Sequence, residues 1–456
     1  MLTSLKLSRY IVTSDLLSAA RTGFQGRVVF PTRSSSPLTV DELTWRRIQD
    51  GALDALPPNA VQRLIEAKVL VPADEDEFAA VVSENMAAIE QQDVLYQVVQ
   101  PSAWCQLDCS YCGQEHSKKW LGEEQQEEFL QRIRARLASG RYRHLKIGWF
   151  GAEPLTGLTV MRRLGASAQA LAKELGCGYS ARIISNGIGL TPAIARELLE
   201  QHCISEAEIT LDGLAADHDR LRFTKTGKGS FRKIFDNLRS VAAATELKLV
   251  IRCNVDRLNA DGVAPLIEQI AQAGLAQRVQ FYTSPVYAWG NDADQTALDR
   301  EEFAQCEVEW LALQMRLGFQ VGLLPPRRKI VCMSVQREAE VVDAYGATFN
   351  CTEVPYVPAY GQPNSYEIRI PVSSIKVRSG AKLHAGSNET PANKLHNFNQ
   401  QLLQGEHLQC ASCNMLPVCG GQCPKSWHEG HAPCPSAKIN MKERLNLLFA
   451  ADQMTE

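Results

Sequence analysis

The sequence has no long apolar run and no excess of basic residues. No segment approaches the roughly 18 consecutive apolar residues of a membrane-spanning helix. The first 23 residues are interrupted by Lys6, Arg9, Asp15 and Arg21, so they lack the apolar region of a secretory signal. Lysine and arginine number 48 against 51 acidic residues, a net charge of -3, which argues against a nucleic-acid-binding protein. We therefore expect a cytoplasmic protein with neither a membrane nor a nucleic-acid partner.

Cysteine is present in unusual number, at fourteen in 456 residues. The remaining composition, 45% hydrophobic and 22% charged, is that of an ordinary folded protein long enough for two or three domains. The reducing cytosol opposes structural disulfides, so clustered cysteines indicate metal or redox chemistry. Four cysteines stand alone and are predicted to be inert apolar side chains: Cys177, Cys203, Cys253 and Cys306.

Residues 1–88 contain no cysteine and are predicted to form a separate module. Strand-like runs at 9–13 and 27–32 precede a helix that we expect to begin with a capping box, Thr39 as N-cap and Glu42 three residues on. A second helix is expected after the Pro57-Pro58 pair, and the acidic residues 74–77 are expected to be a solvated boundary. Together these elements predict a winged-helix-like module.

This order of elements resembles the PqqD-like recognition element at the front of many enzymes that modify ribosomally made peptides (RiPPs). The resemblance implies that the module binds a leader peptide as an added strand, through main-chain hydrogen bonds along a sheet edge. A small docking or dimerisation module remains the alternative, because short strands and helices of this kind occur in many folds.

Residues 89–300 alternate strand-like and helix-like segments. Strands are predicted at 94–99, 145–150, 181–184, 207–211, 247–254 and 279–283, and helices at 161–175, 191–201, 231–243 and 262–273. Such repeats predict an α/β fold with a parallel sheet, either doubly wound or a full or partial barrel. In these folds the chemistry gathers at the carboxyl ends of the strands, where glycine and polar residues recur in this sequence.

Three cysteines follow the first of these strands at C-x3-C-x2-C spacing: Cys105, Cys109 and Cys112. Three thiolates can hold three irons of a 4Fe-4S cluster and leave the fourth iron open. A zinc knuckle is the alternative, and it is disfavoured because only His116 is nearby as a fourth ligand. The spacing, with Tyr111 before the last cysteine, resembles the radical S-adenosylmethionine (SAM) family, which implies a partial (β/α)6 TIM-like barrel whose cluster cysteines are catalytic.

The family's Gly-Gly-Glu-Pro motif is matched here by Gly151-Ala152-Glu153-Pro154, with Ala152 in place of the second glycine. The resemblance implies that this turn binds SAM and that Glu153 receives its amino group, as a charge-assisted hydrogen bond would allow. It also implies further SAM contacts at Ser185, Asn186 and Asn254. Asp212, a candidate catalytic residue, and Arg222 are expected either to act on substrate or to form a turn and a structural ion pair.

The C-terminal third, 301–456, contains the seven-cysteine pattern of the SPASM extension: Cys332, Cys351, Cys410, Cys413, Cys419, Cys423 and Cys434. The resemblance implies two auxiliary 4Fe-4S clusters. Cys410, Cys413, Cys419 and Cys434 would hold the outer one, and Cys332, Cys351 and Cys423 the inner one. Some members carry another cysteine where this chain has Pro326, and Cys306 is the only nearby substitute. The inner cluster is therefore expected to have an iron site open to substrate or water.

Taken together, the three segments most resemble radical SAM/SPASM peptide maturases. The resemblance implies three 4Fe-4S clusters, SAM, an external electron donor such as flavodoxin or ferredoxin, and a precursor peptide with a leader. The expected reaction abstracts hydrogen from the peptide and installs a cross-link, with a carbon-carbon bond favoured over an ether or thioether. One alternative is a formylglycine-forming enzyme similar to the anaerobic sulfatase maturases. Another, of a different class, is an iron-sulfur electron-transfer or scaffold protein.

Overall fold

The computed structural model describes residues 4–19, 23–361, 364–368 and 395–455. Part of the predicted C-terminal domain, 369–394, lies outside the described residues. An antiparallel region at the front of the chain is followed by a large mostly parallel sheet and then by a cysteine-rich region of short helices. The predicted α/β architecture is confirmed.

The front of the chain forms two small antiparallel sheets and three helices. Its elements are β1 (Leu5–Leu7), β2 (Ile11–Thr13), β3 (Leu17–Ala19), β4 (Phe24–Pro31), β5 (Leu38–Asp41), α1 (Glu42–Gln49), α2 (Pro58–Glu66), β6 (Leu70–Pro72) and α3 (Glu77–Glu90). Strand β4 pairs with β2, β3 and β5, and β1 pairs with β6. The two predicted strands are β2 and β4, and the second predicted helix is α2 with Pro58 in its first turn.

Two predictions for this region were wrong. Thr39 is not the N-cap of α1, because it lies inside β5 and is paired with Val28. The cap is Asp41, whose side chain accepts a hydrogen bond from the Thr44 amide at 2.9 Å. The acidic residues 74–77 are not all solvated, since Glu77 is buried and accepts hydrogen bonds from Ser8 and from the Arg9 amide.

The central sheet contains all six predicted parallel strands in chain order. They are β7 (Val94–Val99), β8 (His144–Trp149), β9 (Gly178–Ser185), β10 (Ile204–Thr210), β11 (Lys248–Val255) and β12 (Val279–Pro285). The helices are α4 (Glu123–Ala138), α5 (Leu158–Glu174), α6 (Pro192–His202), α7 (Ala215–Leu221), α8 (Phe231–Ala244), α9 (Val263–Gln272) and α10 (Arg300–Arg316). Helix α4 was not predicted, because its sequence is mostly charged and polar.

The core of the sheet comes from apolar strand residues that helices cover. Leu145 and Ile147 of β8 and Ile209 of β10 are fully buried, as are Leu164 of α5 and Leu198 of α6. Burial of this kind fixes the strands against each other and leaves the loops at their carboxyl ends free to carry polar residues.

The C-terminal region extends the central sheet and then folds back over the front of the chain. Strand β13 (Glu340–Val342) pairs parallel with β7, and β14 (Thr348–Phe349) pairs antiparallel with β13. The remaining helices are α11 (Phe398–Leu403), α12 (Leu408–Ala411), α13 (Leu416–Cys419), α14 (Pro424–His428) and α15 (Ala437–Thr455). Helix α15 contacts α10, β2 and β4. Among the helices of the described residues, none is long and apolar enough to span a membrane.

Candidate functional site

A cavity of about 210 Å³ opens at the carboxyl ends of the parallel strands. Nine residues predicted for the site line it: Cys105, Cys109, Cys112, Gly151, Ala152, Glu153, Ser185, Asn186 and Asn254. They come from the loops after β7 and β8, from the end of β9 and the residue that follows it, and from the end of β11. The parallel topology brings these ends to one edge, as expected for an α/β fold. We call this space the first cavity.

The cysteine loop that forms one wall of the first cavity is held by backbone hydrogen bonds. The Asp108 amide donates to the Phe223 carbonyl and the Ser110 amide to the Leu221 carbonyl, both at 2.9 Å. Within the loop, the Cys112 amide donates to the Cys109 carbonyl at 3.0 Å. The segment after α7 therefore fixes the course of the loop.

The three thiols of this loop suit a metal cluster better than free thiol chemistry. Burial raises the pKa of Cys105 to about 12 and that of Cys109 to about 11. Such thiols stay protonated at neutral pH unless a metal replaces the proton. Among the described residues, no three His, Cys, Asp or Glu side chains are arranged to hold a single metal ion. Three thiols around one cavity instead fit a three-cysteine cluster.

The turn after β8 shows which of its residues needs to be glycine. Gly151 has φ of +108°, and a Cβ there would lie 2.8 Å from the Gln100 side chain. The backbone of Ala152 is outside the positive-φ region, so it tolerates a methyl group while still lining the first cavity. The substitution of the family's second glycine is therefore compatible with this turn.

Glu153 is buried and tied to the neighbouring strand end. Its carboxylate accepts hydrogen bonds from the Leu155 amide at 3.0 Å, the Ser185 hydroxyl at 2.8 Å and the Asn186 amide at 2.7 Å. Burial raises the pKa of this carboxyl, and the three donors oppose that shift. A carboxylate has about four acceptor positions. The three hydrogen bonds thus leave roughly one acceptor position of Glu153 for an outside ligand, such as the expected amino group of SAM.

Asp212 is fully buried beneath Tyr111 and is not one of the side chains lining the first cavity. It accepts hydrogen bonds from the Tyr111 hydroxyl at 2.5 Å and from the Asn254 amide at 2.7 Å. Arg222 donates to the same hydroxyl and lies 3.7 Å from the Asp212 carboxylate. These contacts show Asp212 supporting Tyr111 and Asn254, and its predicted catalytic role stays a prediction.

A second cavity of about 290 Å³ adjoins the first and is lined by Cys332, Cys351 and Cys423. These are the three cysteines expected at the inner auxiliary cluster. Burial raises the pKa of both Cys332 and Cys351, and the neighbouring Cys423 thiol raises each of them further. Four residues line both cavities and form their common wall: Arg252, Tyr287, Trp289 and Glu353.

The four cysteines expected at the outer cluster line a third cavity: Cys410, Cys413, Cys419 and Cys434. Burial raises the pKa of Cys410 to about 12, and the other three thiols of the group add to the shift. The seven C-terminal cysteines thus line two separate cavities, and their assignment to two auxiliary clusters stays a prediction. All fourteen cysteines are described, and the four isolated ones line none of the three cavities. Cys306 lies on α10 with Glu309 and Glu302 as charged neighbours, away from the inner set.

The sequence reasoning missed the common wall of the first and second cavities. Arg252 lies two residues before Asn254 on β11, so strand alternation points both to the same face. That alternation was an available signal. No local motif marks the other three residues of the wall, which lie outside helices and strands: Tyr287, Trp289 and Glu353.

Comparison with known proteins agrees with this geometry. Residues 99–255 match the Radical SAM superfamily. An uncharacterized protein of Synechocystis sp., sll1766, is 31% identical over 139 residues, which cover 29% of this chain and 34% of that protein. The sporulation killing factor maturation protein SkfB of Bacillus subtilis is 24% identical over 170 residues, which cover 37% of this chain and 38% of that protein. The chain thus spans about a third of the length of these curated relatives.

A solved structure, native anSMEcpe with bound AdoMet, has a similar fold. Its TM-score is 0.57 at 17% sequence identity, over 79% of this chain and 100% of that chain. The matched family segment includes Cys105, Cys109 and Cys112, Glu153 and Asn254. The cavity built from those residues and the match over 99–255 lead to the same assignment, so residues 99–255 of this chain are a segment of the Radical SAM superfamily.

Proposed function

We propose that this protein is a radical SAM peptide maturase that installs a cross-link in a ribosomally made precursor peptide. The observation that carries the proposal is the adjacency of two cysteine-lined cavities, which share the wall made by Arg252, Tyr287, Trp289 and Glu353. A substrate side chain in the first cavity would lie next to the inner auxiliary cluster. That arrangement suits a reaction in which hydrogen is removed and an electron must then be taken up.

The cofactor-holding residues follow from the lining of the cavities. Cys105, Cys109 and Cys112 would hold the cluster that binds SAM, and the turn containing Glu153 would hold the methionine end of SAM. When bound, this pair of cofactors supplies one-electron chemistry that removes hydrogen from an unactivated carbon. The protein's own residues bind and orient the peptide and exclude water.

The shared wall is suited to a peptide. The aromatic rings of Tyr287 and Trp289 have centroids 6.1 Å apart and can pack against an aromatic or aliphatic side chain. The Arg252 cation can donate hydrogen bonds to main-chain carbonyl groups of the substrate peptide, and the Glu353 anion can accept them from its amide groups. The rings offer a surface to an aromatic substrate side chain, as the favoured carbon-carbon link at an aromatic residue would need, and an ether or thioether link is the alternative.

The winged-helix-like front of the chain would bind the leader peptide. Strand β5 pairs with β4 from Gly26 opposite Asp41 to Val29 opposite Leu38. Within the described residues no strand pairs with the other edge of β5. A leader strand added there would gain main-chain hydrogen bonds. The likeness to SkfB, a maturation protein, supports a peptide as the substrate class.

Co-expression with a candidate precursor, from a short reading frame beside the gene, tests the reaction. A cross-link between two carbons removes two hydrogens, and fragmentation then fails between the joined residues. Conversion of serine to formylglycine also removes two hydrogens, so the product is treated with an aldehyde-selective hydrazide. A bridged product does not react. An aldehyde would instead establish the formylglycine alternative.

Anaerobic reconstitution separates the enzyme from an electron-transfer or scaffold protein. We expect about 12 irons per chain, from three 4Fe-4S clusters, and formation of 5'-deoxyadenosine when dithionite is added with SAM. Zinc in place of iron, or a full iron content without SAM cleavage, would contradict the proposal.

A further inference from the structure

We infer that a basic surface beside the cysteine loop is the docking site of an acidic one-electron donor protein of the flavodoxin or ferredoxin class. This lysine collar consists of four exposed residues, Lys118, Lys119, Lys225 and Lys228. Lys118 and Lys225 lie over the half-buried ring of Trp104, and Lys119 and Lys228 belong to the same two loop segments. The inference rests on the proposed function, since a cluster that cleaves SAM has to be reduced by a partner.

Backbone hydrogen bonds join the segments of the lysine collar to the loop that contains Cys105, Cys109 and Cys112. The Ala103 amide donates to the Lys119 carbonyl at 2.9 Å, and the Lys225 amide donates to the Gln106 carbonyl at 3.0 Å. These two bonds flank Cys105 in the sequence, and Trp104 immediately precedes it. A protein bound on the collar would therefore contact the backbone that surrounds the cluster.

The charges of the lysine collar are largely available to a partner. The ammonium groups of Lys118 and Lys225 lie 5.6 and 5.2 Å from the Trp104 ring centroid. Among the described carboxylates, only Asp108 comes within ion-pair distance of a collar lysine, at 3.6 Å from Lys225. Asp108 and Glu115 are the exposed acidic residues of the cysteine loop. With four lysines and two acids, this surface has a positive balance although the whole chain has a net charge of -3.

Charge and an aromatic ring together favour this kind of partner. Complementary charge raises the association rate of two proteins and orients them, and the effect weakens as salt rises. In the transfer itself the donor loses one electron and the cluster held by the three cysteines gains it, with no proton or group transferred. A transient contact of this type needs only a small interface.

Substitution of two collar lysines tests the inference in the reconstituted protein. The variant is Lys118→Gln with Lys225→Gln. The matched control is Lys173→Gln with Lys248→Gln, which removes the same charge at the opposite end of the sheet, where α5 ends and β11 begins. Stopped-flow absorbance measures oxidation of reduced flavodoxin, and titration calorimetry measures the affinity for oxidised flavodoxin.

We expect the collar variant to lower the second-order rate constant and the affinity about tenfold at low salt, and the control to change neither by more than about twofold. SAM cleavage driven by dithionite should be unaffected in both. Three results would overturn the inference: equal flavodoxin kinetics in the two variants, an equal fall with dithionite, or a selective loss of precursor-peptide binding. Absence of SAM cleavage with dithionite in the unsubstituted protein would instead refute the proposed function, and flavodoxin affinity would still report on the lysine collar.

Discussion

Replacement of Glu340 by glutamine should strongly destabilise the attachment of β13 to the central sheet. The Glu340 carboxylate is buried between two guanidinium groups of α4, at 3.0 Å from Arg132 and 2.8 Å from Arg136. Burial by itself raises the pKa of this carboxyl, but the two arginines outweigh burial and lower it. Glu340→Gln keeps the shape and leaves two buried cations without their anion. Breaking a buried pair in this way costs about 3–5 kcal/mol.

The measurement is thermal unfolding of the reconstituted protein under anaerobic conditions. For a cost of that size we expect the melting temperature to fall by on the order of 10 °C. The control is Glu174→Gln, which removes an exposed partner of Arg134 and should leave the melting temperature nearly unchanged, because water screens a surface ion pair. A carboxyl with a lowered folded pKa stabilises above its unfolded pKa of about 4.3, so the difference should be constant from pH 8 to 6. Equal melting temperatures for the two variants would refute the reasoning.

Five further substitutions test the assignment of the cavities and the hydrogen bonds beside them. Iron analysis and product chromatography distinguish the three cysteine variants. Cys105→Ala should leave about 8 irons and abolish SAM cleavage, whereas Cys332→Ala should leave about 8 irons and retain cleavage. Cys306→Ala should keep about 12 irons, because this thiol is not expected to be a ligand. Tyr111→Phe removes the hydroxyl that Asp212, Arg222 and Asn254 share, and it should cost about 1–3 kcal/mol in thermal unfolding. An unchanged melting temperature would contradict the hydrogen-bond network. Glu353→Gln should lower peptide turnover about tenfold or more while leaving the calorimetric affinity for SAM unchanged; a weakened SAM affinity would place Glu353 at the cofactor instead.

Most of the central sheet was predictable because its physical causes are local. Val94–Val99 is an apolar run with three valines that only Gln97 interrupts, and polar or glycine residues lie in the loops after such strands. Once the strands are parallel, their carboxyl ends meet, so Glu153, Ser185 and Asn254 were expected together before any contact was known. The structure adds the hydrogen bonds between them.

What the sequence did not predict depends on contacts between distant segments. Thr39 with Glu42 satisfies the local rule for a capping box, yet pairing of β5 with β4 takes Thr39 into a strand and leaves the cap to Asp41. Glu77 belongs to an acidic stretch, but it is buried because Ser8 and Arg33 surround it. Tyr287 and Glu353 meet at one wall although 65 intervening residues separate them.

The packing of α15 on the front of the chain has a consequence for how the protein is made. Val28 and Phe30 of β4 pack with Met441, Leu445 and Phe449, which are synthesised more than 400 residues later. At about 5–20 residues per second, the face of the first sheet waits for its cover for roughly 20 to 85 seconds. Until α15 has been made, this apolar face lacks the cover that it has in the folded chain, so we expect a chain truncated before α15 to expose it and to aggregate.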